Sequence, residues 1–243
     1  LGAALAFWFK EKNNKRKYPL KDMMNCSYLG PKYSNESVQK ILREIGANFI
    51  HMNNDDLLEK TAEKLNQGKA VGWFNGRMEF GPRALGSRSI LGDPRSPKMQ
   101  KILNLKVKFR ESFRPFAPSV LIEDLKDWFN LDIESPYMLL VTNVKEQKLT
   151  NVREELDKAI GLEKLDIIKS QIPAVTHVDN SARIQTVSKE NGLYYKLISK
   201  FKEKTGCPLI VNTSFNIRGE PPVNSPIDAF KCFMSTDLDI LIL

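Results

Sequence analysis

Six short apolar runs, each four to six residues long and separated by stretches with helical spacing, leave this chain few architectures other than a sheet layered with helices. The runs lie at 70–74, 119–122, 137–141, 184–187, 208–211 and 238–243 and are expected as strands. Ser34 can cap a helix carrying Val38, Ile41, Leu42 and Ile45, which Gly46 can end. A second helix is expected over 55–67, stopped by Gly68. Two more are expected at 193–204 and 226–234, the latter with Ser225 as cap and Pro226 in its first turn. This is an α/β pattern. The charged stretch 145–169 has helical spacing but few large apolar residues and reads as a peripheral insertion.

With 243 residues, 42% of them apolar, the chain can bury one sizeable core. Its opening stretch, 1–9, is apolar and reads as the last helix of a preceding domain; a basic segment and the Gly30-Pro31 turn follow, and a boundary is expected near residue 34. That first run is too short to span a bilayer and lacks the basic flank of a signal peptide. Cys26, Cys207 and Cys232 are odd in number and widely spaced, which fits neither a disulfide framework nor a zinc site, and a reducing cytoplasmic setting is expected. The formal charge of +8 favours anionic partners without choosing among phosphates, nucleotides and nucleic acid.

Three segments are richer in polar chemistry than a core requires. Gly76-Arg-Met-Glu-Phe-Gly-Pro-Arg-Ala-Leu-Gly-Ser-Arg-Ser89 bends through three glycines and a proline while presenting Arg77, Arg83 and Arg88. Glycines let backbone amides approach an anion, and guanidinium forks bind phosphate bidentately. The same composition also describes a solvated turn whose arginines pair with surface acids. Lys106-Val-Lys-Phe-Arg-Glu-Ser-Phe-Arg-Pro-Phe-Ala-Pro118 interleaves four cations with three aromatics. Here Lys106, Lys108, Arg110 and Arg114 would face a polyanion, with Phe109, Phe113 and Phe116 as anchors, in a rigid extended segment rather than a helix. RNA binding and plain core packing are the competing readings. Leu209-Ile-Val-Asn-Thr-Ser-Phe-Asn-Ile-Arg-Gly-Glu-Pro-Pro222 runs from a strand into a cluster of short polar side chains, the place where open α/β sheets usually bind ligands, although a polar turn would look the same. Arg183 and Gln185 share one strand face by the two-residue period.

Other catalytic equipment is sparse. His51 and His177 are the only histidines and show no metal-ligand spacing; Gly-x-Ser-x-Gly and Walker loops are absent. An arginine-dominated site stabilises phosphoryl charge and positions reactants.

The blocks Gly81-Pro-Arg-Ala-Leu-Gly-Ser-Arg-Ser-Ile-Leu91, Phe113-Arg-Pro-Phe-Ala-Pro118, Ala182-Arg-Ile-Gln-Thr-Val187 and Asn212-Thr-Ser-Phe-Asn-Ile-Arg-Gly-Glu220 together, in this order, resemble the NodU/CmcH carbamoyltransferase family over residue 28 to the C-terminus. The resemblance implies a YrdC-like C-terminal domain over 34–243, a twisted open mixed sheet with helices and a positively charged concave face. Residues 1–33 would then be the tail of an N-terminal actin/Hsp70-like domain plus linker, and that domain would carry the metal and the transfer site. The implied chemistry is binding of carbamoyl phosphate and ATP, with magnesium, to form carbamoyl adenylate for an acceptor hydroxyl. Arg83, Arg114 and Arg218 would be catalytic. Arg77, Arg88, Lys108, Arg110, Arg183, Asn212, Ser214 and Asn216 would bind substrate and nucleotide. No metal ligand is assigned, Glu79, Asp179 and Glu220 being the nearest candidates. The family usually carries Asp-Gly-Thr where this chain has Asp179-Asn-Ser181, a replacement that can keep the turn and the hydroxyl. A membrane partner is not expected, nor, on this resemblance, is nucleic acid.

Overall fold

The computed structural model describes residues 2–16, 22–165 and 167–243. Leu1, residues 17–21 of the expected linker and residue 166 of the expected insertion lie outside them. Seven strands form one mixed sheet: β1 (Val71–Phe74), β2 (Arg88–Gly92), β3 (Ala117–Leu121), β4 (Leu140–Asn143), β5 (Ser181–Val187), β6 (Leu209–Ser214) and β7 (Ile240–Ile242), in the order β4-β5-β3-β6-β2-β1-β7. β3 runs parallel to β5 and β1 to β7; the remaining pairs are antiparallel. The inner strands β1, β2 and β3 are buried along their whole length, whereas edge strand β4 alternates between half-buried and exposed positions.

Helices α1 (Gly2–Ala6), α2 (Asn35–Glu44), α3 (Asn54–Asn66), α4 (Met99–Ile102), α5 (Leu125–Trp128), α6 (Arg153–Lys158), α7 (Leu193–Thr205) and α8 (Pro226–Met234) complete the fold. Local chemistry sets their ends. The Ser34 hydroxyl accepts from the Ser37 amide, and Ser225 and Asp228 form a reciprocal capping box with Pro226 in the first turn. Gly206, at φ 73°, closes α7 in the left-handed region. α3 and α7 pack on each other and on the sheet, burying Leu58, Ala62 and Leu65 with Leu197, Ile198 and Phe201 in the main core. Each large apolar side chain so buried contributes about 1.5–3 kcal/mol.

Two expectations change. β2 is an additional strand that opens on Arg88 and Ser89, the last two residues of the arginine and glycine segment, and is buried along its whole length. The segment 106–118 is not uniformly extended: a π-helical turn over Leu103–Val107 takes in Lys106, and the chain straightens only into β3. Within the expected linker, the Gly30 amide donates to the Met78 carbonyl, the Pro31 carbonyl accepts from the Met78 amide, and the Ser27 carbonyl accepts from the Phe80 amide.

Candidate anion-binding site

The Gly81–Ser87 stretch crosses the sheet as a clamped loop, and its clamp is assembled from both ends of the chain. Register places Ser119 beside Gln185 and opposite Ile210, so Ser119, Gln185 and Asn212 share one sheet face. Asn212 donates its amide to the Ala84 carbonyl at 3.0 Å and to Gln185 Oε1 at 2.8 Å; Gln185 and Tyr28 donate to the Leu85 carbonyl, and Trp73 Nε1 to that of Gly86. On the amide side, buried Glu79 accepts from the backbones of Leu85, Ser87 and Arg88 at 2.7–3.3 Å. Gly86 is obligatory here: its φ is 104°, and a Cβ would stand 2.2 Å from the Tyr194 ring.

This clamp decides which loop cations are available. Arg83 is exposed at the turn and Arg77 is exposed with one nitrogen on the Gly30 carbonyl. Arg88, expected to hold phosphate, instead turns inward. It is 1% exposed, lies 3.5 Å over the Phe74 ring centroid, and spends its terminal nitrogens on the carbonyls of Pro31, Asn75, Gly76 and Ser87. Burial pushes its pKa down to about 10. Such a guanidinium braces the loop and has no free fork for a ligand.

The second cluster joins Lys108 to the end of β6. Lys108 is 4% exposed, and its Nζ donates to the Ser214 carbonyl and hydroxyl (3.2 Å) and to the Asn216 carbonyl (2.9 Å) and Oδ1 (2.7 Å). It has no carboxylate partner among the described residues. Burial, assisted by the nearby Arg110 charge, lowers its pKa to about 7. The inward turn is made by Phe109, whose φ of 46° is unusual for an aromatic residue. Phe109 and Phe113 are therefore about half exposed rather than anchors, and only Phe116 is buried as expected.

Arg110 is aimed by Asn104, which the sequence reading passed over. Asn104 is fully buried, accepts Arg110 Nε at 2.7 Å, and donates to the carbonyls of Ser112 and Arg114. Glu111 bridges Arg114 at 3.0 Å and Arg218 at 3.6 Å, bringing those two exposed guanidiniums together. On β5, Arg183 has its Nε buried without a partner, and burial together with the neighbouring Arg83 charge lowers its pKa. The structure thus groups Lys108, Arg110, Arg114, Ser214, Asn216 and Arg218 in one cluster and Arg83 with Arg183 in another, leaves Arg77 at the rim, and spends Arg88 and Asn212 on the scaffold.

Magnesium finds no donor set to match. Glu79 is consumed by loop amides, Asp179 binds Ser181, Glu220 is exposed, and among the described residues no group of three or more His, Cys, Asp or Glu side chains could hold a metal. A separate cavity of about 520 Å³ between α2, α3, β1 and β7 is lined by Val38, Trp73, Phe74 and Phe233 and contains none of the expected site residues. No helix among the described residues is long and apolar enough to cross a membrane.

Comparison with known proteins places the chain among relatives. The chain is 52% identical over its whole length to the uncharacterized protein sll1178 of Synechocystis sp., of which it covers 40%. It is 41% identical over 89% of its length to the nodulation protein NolO of Bradyrhizobium diazoefficiens, covering 37% of that protein. Over 69% of its length it is 38% identical to the 3'-hydroxymethylcephem-O-carbamoyltransferase of Streptomyces clavuligerus, covering 28% of it. The chain therefore spans two fifths or less of these relatives. In fold it resembles a solved structure of P. abyssi Sua5, with a TM-score of 0.51 and 15% identity over 79% of this chain and 49% of that one, so the open mixed sheet is of the YrdC/Sua5-like kind. Residues 62–243 match the family described as the carbamoyltransferase C-terminus, and the chain belongs to that family.

Proposed function

We propose that this chain binds ATP and carbamoyl phosphate and forms carbamoyl adenylate, as the activating part of a longer cytoplasmic O-carbamoyltransferase. The observation that carries the reading is the grouping of Lys108, bonded to Ser214 and Asn216, with nearby Arg110 and with Arg114 and Arg218 bridged by Glu111: four cations around one carboxylate, an excess that dense phosphate charge would balance. Membership of the carbamoyltransferase C-terminus family supports carbamoyl phosphate and ATP, rather than RNA, as the source of that charge.

Mass balance fixes the outline. Carbamoyl phosphate loses inorganic phosphate to water, giving carbamate. A carbamate oxygen then attacks the α-phosphorus of ATP, the bond to the bridging oxygen breaks, and pyrophosphate leaves. Arg83, Arg114 and Arg218 neutralise charge that moves onto the departing phosphates; Arg110, aimed by Asn104, holds the reacting phosphoryl group in place, while Lys108, whose protons go to Ser214 and Asn216, adds positive charge beside Arg110. A domain preceding residue 34 would transfer the carbamoyl group to its acceptor.

The test is exchange of labelled pyrophosphate into ATP by the purified chain. Exchange that depends on carbamoyl phosphate is expected. Absence of exchange together with absence of ATP and carbamoyl phosphate binding refutes the reading, as does RNA binding that weakens steeply with salt in their place.

A further inference from the structure

The residues expected as linker are strapped to the arginine loop, and a strained turn leads into the strap. Asn25, Cys26 and Ser27 stand in succession at φ 46°, 54° and 63°, a left-handed run that residues with side chains normally adopt only singly. One carboxylate holds this turn. Asp22 accepts the Met24 amide at 2.9 Å, the Cys26 amide at 2.8 Å and the Tyr137 hydroxyl at 2.5 Å. Backbone strain of this kind persists only where the surroundings over-determine it, and it relaxes when they let go.

Beyond the turn the strap is bonded to the loop. The Tyr28 hydroxyl donates to the Leu85 carbonyl at 2.8 Å and accepts from Asn191 Nδ2 at 3.0 Å, while its ring packs in a small cluster with Leu85, Ala117 and Met138. The Gly30 carbonyl accepts Arg77 Nη1 at 3.1 Å, and the Pro31 carbonyl accepts Arg88 Nη2 at 3.3 Å as well as the Met78 amide. Two of these bonds end on arginines, and the Tyr28 bond ends two residues beyond Arg83. The approach is as close as the backbone permits: a Cβ on Gly30 would stand 2.8 Å from the Met78 carbonyl oxygen.

A loop held this way loses its shape when the strap leaves it. Arg77 and Arg88 then give up carbonyl partners, and Leu85 keeps only the Gln185 amide of its two side-chain donors. We propose that residues 22–31 form a spring-loaded strap that sets the anion affinity of the arginine loop, so that displacement of the chain at Asp22 weakens binding at Arg77 and Arg83. The strap is the covalent path from the residues before Asp22 to the loop, which makes it the natural route for regulating this site from upstream. Coupling of this kind is reciprocal: an anion on the loop holds the strap down by the same factor. The proposal rests on the anion-binding reading above.

Cys26 reports the state of the strap. Its thiol is 5% exposed and burial pushes its pKa up to about 11, so a thiol reagent at mildly alkaline pH reaches it through opened molecules. Cys207 and Cys232 lie in the main core, which opens with the whole fold. Iodoacetamide labelling of the whole chain, followed site by site by mass spectrometry, should reach Cys26 well before the core thiols, and saturating inorganic tripolyphosphate should slow Cys26 about fivefold or more. Tyr28→Phe keeps the ring but loses both hydroxyl bonds, and Gly30→Ala sets a methyl against the Met78 carbonyl. Each should speed Cys26 labelling and weaken tripolyphosphate binding, measured by calorimetry, about three- to tenfold while Cys207 and Cys232 stay protected. Equal labelling of all three thiols in the parent or in both variants, a Cys26 rate indifferent to tripolyphosphate, or variants that bind tripolyphosphate like the parent overturns the strap while the anion-binding reading survives. Tripolyphosphate that does not bind the parent refutes that reading, and the strap's role falls with it.

Discussion

Lys108 makes the electrostatics of the main cluster measurable. Its folded-state pKa of about 7, against an ordinary 10.5, comes from burial of an ammonium that only neutral oxygens and a neighbouring guanidinium surround. At pH 8 such a group is roughly one-tenth protonated in the free protein. A polyphosphate bound at the cluster supplies the missing counter-charge and restores a pKa well above 8, so binding at pH 8 should take up close to one proton, roughly 0.9 per site, and at pH 6 only about 0.1. Tripolyphosphate titrated into the chain at pH 8 in buffers of different ionisation enthalpy reads this uptake directly, and the terminal phosphate, ionised at that pH, contributes little. The same linkage has a stability counterpart. The unfolded chain binds the Lys108 proton up to about pH 10.5 and the folded chain only up to about 7, so this residue's contribution to stability rises as pH increases between those values. Observed heats that do not depend on the buffer at pH 8, or an uptake that persists in Lys108→Met, would refute the argument.

The loop and the bridge give two further expectations. Gly86→Ala forces a Cβ into the Tyr194 ring at an unfavourable positive φ and should cost about 2–4 kcal/mol, read as a lowered midpoint in chemical denaturation; an unchanged midpoint would mean the loop is not clamped as described. Glu111→Gln removes the carboxylate that competes for Arg114 and Arg218, so tripolyphosphate should bind several-fold tighter with a steeper salt dependence, whereas weaker binding would make Glu111 an organiser of the site rather than a competitor.

The sequence by itself determined the class of fold and the inventory of cations. Helical spacing with Ser34 and Ser225 caps located α2 and α8 to within a residue, because a cap and an apolar stripe are local properties of the chain. Ordered blocks of glycine, arginine and asparagine identified the family for the same reason. Where each cation points was not local. Arg83 and Arg88 stand five residues apart in one loop, yet one is exposed and the other braces carbonyls beneath Phe74, a difference imposed by Glu79 gathering three amides and by β2 pairing into the sheet. Lys108 meets Ser214 and Asn216 across more than a hundred residues, through a positive φ at Phe109 that no propensity favours. Asn104 offered no motif at all; only its burial against Arg110 and Arg114 shows its work. Tertiary structure decided which charges are desolvated and which are free, because burial and hydrogen-bond partnership depend on residues far away in the chain, and it is that partition that turns a basic sequence into a candidate site.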